Sequence, residues 1–85
     1  MKRITIAVLK NINRYIIDKY YDEKYTHSFL ILQDILKYVS SIDKYVDVPV
    51  SALEWVCEFV ETKQDYDKLS KYGDFYYKIK LSLNK

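Results

Sequence analysis

The sequence predicts an all-α fold, a bundle of about four helices in one small domain spanning residues 1–85. Three observations lead there. One Gly and one Pro in 85 residues are too few for the tight turns of an all-β fold. Apolar residues recur on helical arcs in three separate stretches. A composition that is 49% apolar and 31% charged suits a packed core rather than a disordered tail. A small α+β domain is the alternative, with residues 3–9 pairing as a strand with residues 75–83.

The first helix is expected from Ile4 to Tyr21. Ile4, Val8, Leu9, Ile12, Tyr15, Ile16 and Tyr20 share one broad face, which Ile6, Ile17 and Tyr21 widen. A surface helix needs an apolar stripe of only about 100°. A helix this apolar is either central in the bundle or shared with a partner. Ile4, Ile6 and Val8 also alternate as a strand would, but the helical pattern continues three turns beyond Leu9. Tyr21 to Tyr25 is polar and reads as a loop.

Thr26 is a candidate N-cap for a second helix from His27 to Tyr45. Phe29, Ile31, Leu32, Ile35, Leu36, Val39 and Ile42 point one way, with Tyr38 and Tyr45 at the edge and Leu30 out of place. Asp47-Val48-Pro49-Val50 breaks the chain. Ser51 and Glu54 then have capping-box spacing, and Val50 and Trp55 stand where a hydrophobic staple would sit. In this third helix Ala52, Leu53, Trp55, Val56, Cys57, Phe59 and Val60 face inward. Glu54, Glu58 and Glu61 form an acidic stripe. Thr62 to Asp65 reads as a loop. From Asp65 to Leu83 a helix would align Leu69, Tyr72, Phe75, Tyr76, Ile79 and Leu83. The competing reading ends a short helix at Gly73 and continues as a strand.

The single histidine, His27, adjoins Ser28, but neighbours on a helix point about 100° apart, which is poor geometry for a catalytic pair. Cys57 lies on the apolar arc of its helix, where a buried, inert thiol belongs. One His and one Cys make no zinc site, and one Gly makes no phosphate loop. No catalytic residue, metal or cofactor is therefore expected, and the chain reads as non-enzymatic.

No run reaches the ~18 apolar residues that span a bilayer. The Met1–Lys10 stretch resembles a signal peptide only superficially, because Lys10 and Arg14 interrupt it. A lone cysteine fits a reducing compartment, so a cytoplasmic location is expected. Ten tyrosines and nine isoleucines against two alanines and two arginines point to an AT-rich genome. A bacterium of low GC content, its phage or a large DNA virus would qualify.

Charge is uneven within a net +2. Residues 1–25 carry +3, residues 26–67 carry −5 and residues 68–85 carry +4. The ends can fold against the middle, or one face can meet a charged partner. Tyr15, Tyr20, Tyr21 and Tyr25 cluster at one end, and Tyr66, Tyr72, Tyr76 and Tyr77 at the other. Tyrosine is enriched at interfaces because it gives rigid area with a polar tip. Tyr15, Tyr20, Tyr21, Tyr25, Tyr66, Tyr72 and Tyr77 are therefore the candidate partner-binding residues. The ordinary alternative is that they simply pack the core.

The leading functional expectation is a module that binds another protein or itself, possible as a homodimer, in the role of a phage or viral accessory protein. A nucleic-acid-associated regulator using Lys2, Arg3, Lys10, Arg14, Lys68, Lys71, Lys78, Lys80 and Lys85 is the second. Sequence-specific readout is disfavoured, since lysines dominate and a recognition helix over residues 51–62 would present glutamates. The third is an acidic DNA mimic built from Glu54, Glu58, Glu61, Asp65 and Asp67.

Overall fold

Thr5 is the hinge on which the N-terminal segment turns from strand to helix. In the computed structural model, which describes residues 1–85, Lys2–Thr5 form strand β1 and Ile6–Lys19 form helix α1. Thr5 is the N-cap, and its hydroxyl accepts from the Val8 N–H at 3.2 Å. The expected single helix over residues 4–21 is thus shortened at its start, where β-branched Ile4 and Thr5 go into a ladder.

The fold is helical with one two-stranded sheet. Its second strand, β2, is Tyr45–Val48, antiparallel to β1 with Ile4 opposite Val46 and Arg3 opposite Asp47. A strand near the N-terminus therefore exists, but its partner is not residues 75–83, which form a helix. The Ile6 N–H, unsatisfied within α1, donates to the Lys44 carbonyl at 2.9 Å and extends the ladder by one pair.

Tyr21–Tyr25 winds as a 3-10 segment, and helix α2 runs His27–Tyr38. Thr26 is its N-cap residue, but the Thr26 hydroxyl makes no cap bond and instead donates to Glu23 Oε2 at 3.0 Å. α2 stops seven residues before the expected Tyr45. Val39 is extended, and Ser40 to Asp43 form a turn closed by the Asp43 N–H to the Ser40 carbonyl and the Ser40 N–H to Asp43 Oδ2. Ile42 sits on this turn, 86% exposed, and not on an inward face.

Helix α3 spans Val50–Lys63 with Pro49 as N-cap. The Ser51–Glu54 capping box does not form, because Val50 is already helical and Ser51 lies inside the first turn. The Pro49 carbonyl takes the Ala52 and Leu53 N–H groups at 3.1 and 3.3 Å. The staple positions shift with it to Val48 and Leu53, both wholly buried. Past Lys63, Gln64 turns left-handed at φ 55°. The Gln64 N–H bonds Glu61 O and the Asp65 N–H bonds Val60 O, the paired bonds of a Schellman motif.

Tyr66–Tyr72 is a second 3-10 segment, and Phe75–Leu83 is helix α4. Gly73 at φ 68° repeats the Schellman pairing onto Leu69 and Ser70. Instead of one long helix or a helix and a strand, there are two helical pieces with a sharp corner. Leu69, Tyr72, Phe75, Tyr76 and Ile79 are all buried, as the helical arc requires.

One cluster of 19 buried residues draws on both strands, all four α-helices and the second 3-10 segment, so there is a single core. α1 lies at its centre. Val8, Leu9, Ile12, Tyr15 and Ile16 are each at most 6% exposed, and α1 touches β1, α2, α4 and both 3-10 segments. Its over-wide apolar face is covered by its own chain. No helix is long and apolar enough to cross a membrane.

The corners give two opposite expectations for urea denaturation. Gln64→Gly relieves a left-handed non-glycine residue and should raise stability by about 0.5–1 kcal/mol. Gly73→Ala should lower it by about 1 kcal/mol or more, because φ is positive and a Cβ there would lie 2.5 Å from Asn11 Nδ2. A neutral Gly73→Ala would contradict the corner.

Candidate functional site

The tyrosines nominated by the sequence divide into two groups. Tyr15 and Tyr72 are 0% and 2% exposed and cannot present a docking face. Their rings meet edge-on inside the core at 5.6 Å. The two tyrosine-rich ends thus pack together through the interior and not as one outer surface. Tyr20 is half-buried against Phe59 at 5.0 Å. Tyr21, Tyr25, Tyr66 and Tyr77 are exposed at 56%, 74%, 37% and 54%. Lys24 lies over the Tyr21 and Tyr25 rings at 3.7 and 5.0 Å.

The reason for the burial is Asp65, the one buried charged residue. Its Oδ2 accepts from the Tyr15 hydroxyl at 2.5 Å and the Tyr20 hydroxyl at 2.6 Å. Lys68 Nζ stands 3.7 Å from Oδ1. Burial pushes the Asp65 carboxyl upward, but the two phenol hydrogen bonds, Lys19 and Lys68 reverse this and hold it below its ordinary value. Burial and then the carboxylate raise both phenols, Tyr20 to about 12 and Tyr15 further. The protons stay on the phenols throughout the neutral range. A general acid or base needs a pKa near the working pH, and the shifts move these three groups away from neutral.

The acidic stripe is also divided. Glu54 and Glu58 are exposed. Glu61 accepts from the Tyr76 hydroxyl at 2.5 Å and pairs with Lys80 at 3.1 Å, joining α3 to α4. Those contacts, Tyr76 first, hold its carboxyl low. With Asp65 buried and Glu61 engaged, the five acids of the DNA-mimic reading do not form one face. Helix-turn-helix geometry is absent as well, since strand β2 intervenes between α2 and α3. Burial pushes the Cys57 thiol up to about 11, so it stays protonated. His27 is exposed on the first turn of α2. No three His, Cys, Asp or Glu side chains converge as metal ligands do.

Three exposed apolar side chains lie elsewhere, around the end of α2 and the start of β2. Tyr38, Ile42 and Tyr45 are 79%, 86% and 57% exposed. A shallow groove of about 450 Å³ runs between the two elements, lined by Ile35, Tyr38, Val39, Tyr45 and Val46. Asp34, Asp43 and Asp47 complete its lining, and no Lys or Arg does. Sequence reasoning missed this site because it carried α2 through to Tyr45. The available signals were Ser40-Ser41, which favours a turn, and the alternating Tyr45-Val46-Asp47-Val48 before Pro49.

Comparison with family models, with curated proteins and with solved structures returns no match. The functional reading therefore rests on the geometry.

The titrations set a stability window. Asp65 and Glu61 have lowered values in the fold, so their contribution is present above about pH 4 and is lost as pH falls further. Tyr20 has a raised value, so its contribution is full below about pH 10 and is lost as pH climbs through about 12. Urea midpoints across pH should fall above pH 10, and in Tyr20→Phe the alkaline fall should be shallower. An unchanged alkaline slope in the variant would remove Tyr20 from the account.

Proposed function

We propose that this chain is a non-enzymatic protein-interaction module whose docking surface is the α2–β2 face. The observation that carries the reading is an apolar groove bordered by the exposed Tyr38 and Tyr45, with Ile42 exposed on the turn between their elements. Scattered single apolar residues are normal on a protein exterior, whereas a contiguous apolar patch rimmed by polar groups marks an interaction site. Two of the three are tyrosines, which give large contact area at low entropic cost. The expected role is accessory, in a phage or virus and in a host cytoplasm; codon bias and small size support that part.

The reading differs from the terminal tyrosine surface, of which Tyr15 and Tyr72 are core residues while Tyr21, Tyr25, Tyr66 and Tyr77 stay exposed. It also moves the docking face away from α1, whose apolar surplus is absorbed internally.

p-Benzoylphenylalanine placed at position 42, with a control at exposed position 7, tests it by photo-crosslinking in the cells of origin. A discrete protein adduct is expected from position 42, absent from position 7 and lost with Tyr38→Ser. Tyr38→Ser and Ile42→Ser should each leave stability within about 0.5 kcal/mol of the parent, so lost binding is not lost folding. No adduct from position 42, or equal labelling from both positions, would sink the reading.

A further inference from the structure

β2 has an unused edge. The Ile6 N–H to Lys44 O bond fixes the phase of the ladder, because bonded and non-bonded pairs alternate along an antiparallel pair. Lys2 with Val48 and Ile4 with Val46 are then the bonded pairs. The N–H and C=O groups of Tyr45 and Asp47 point away from β1. Neither residue's backbone makes another backbone bond outside the ladder. That edge borders the groove. Strand edges of this kind are templates for an added strand unless charges, Pro, a bulge or shortness blunts them; the four-residue β2 carries one charge, Asp47, and no Lys or Pro, which lie just outside it at Lys44 and Pro49.

The chemistry of the groove selects the occupant. Its apolar members Ile35, Val39 and Val46 suit aliphatic side chains. Every charged residue lining it is acidic, and Asp34 has no ion-pair partner. Asp47 is shared with Arg3 across the sheet at 3.6 Å, both well exposed. A second copy of this chain fits poorly. Its own β2 edge would bring Asp43 and Asp47 to the same acidic groove.

We propose that the partner contributes an extended cationic segment, alternating aliphatic residues with Lys or Arg, that adds as a third strand on the free edge of β2. This rests on the reading of the α2–β2 face as a docking surface and names what docks there. Main-chain bonds to Tyr45 and Asp47 hold the segment. Alternate side chains enter the groove, as strand geometry dictates; the basic ones between them lie on the opposite, Asp47 side of the strand, and the acidic lining at Asp34 and Asp43 draws a cationic segment by its charge.

The test is a titration of the ¹⁵N-labelled 85-residue chain with acetyl-Lys-Val-Lys-Val-Lys-Val-amide. The Glu-for-Lys peptide and an N-methylated copy of the Lys peptide serve as controls. The Lys peptide should slow hydrogen exchange at the Tyr45 and Asp47 amides at least tenfold, leaving Ile4 and Val46 unchanged. Asp34→Lys, at an exposed helix position, should weaken its binding at least tenfold. Neither control peptide should protect the edge. The proposal is overturned if the Lys peptide at millimolar concentration leaves both amides unprotected, or if the N-methylated copy binds as well. Protection that grows with protein concentration alone would assign the edge to a second copy, and also overturns it. A crosslink at position 42 alongside a failed titration would sink this proposal and leave the docking face standing; failure of the crosslink sinks the face itself.

Discussion

A single carboxylate sets the arrangement of this fold. Removing Asp65 from water carries an effective penalty of several kcal/mol on its own. Two charge-assisted hydrogen bonds from Tyr15 and Tyr20, with Lys68 alongside, offset it. The donors lie at the end of α1, and the acceptor lies at the corner after α3, 45 and 50 residues away. The left-handed Gln64 aims that corner inward. Around the bond the rings of Tyr15, Tyr20, Phe59, Tyr72 and Phe75 meet in tilted or edge-on contacts. With α1 held there, its wide apolar face is enclosed on all sides by the rest of the chain.

The same pairing recurs. Tyr72 donates to Asp18 and Tyr76 to Glu61. Buried phenols need acceptors for their hydroxyls, and here four of them find carboxylates. This gives the charge pattern a structural meaning. The acidic middle receives the ends through phenol–carboxylate bonds more than through lysine pairs, of which Lys80 with Glu61 is the closest. Four of the ten tyrosines are engaged inside the fold in this way, and the other six stay exposed. The exposed apolar residues between α2 and β2 lie outside both the core and this network.

Helical periodicity made most of the fold legible. The inward arcs of α1, α3 and α4 contain the residues that are buried, and Leu30, the misfit of α2, is 44% exposed. Boundaries were not legible where tertiary pairing decides them. A strand of four residues carries little local signal, and the pairing of β1 with β2 spans some forty positions of sequence. That pairing ended α2 early, moved the start of α3 to Val50 and took the box from Ser51. The acceptor role of Asp65 was likewise invisible, because its partners are distant in sequence. Exposure at Ile42 followed from the same missed turn, so the candidate site was the least legible part.

The most direct measurement on the Asp65 pairing is a double-mutant cycle in urea with Tyr15→Phe, Asp65→Asn and the pair. Neither change alters side-chain volume much, so the coupling reports the hydrogen bond and its charge. A coupling energy of about 1.5–3 kcal/mol is expected for a bond to a buried charged group. Additivity within about 0.3–0.5 kcal/mol would mean that the two side chains act independently, and would contradict the account.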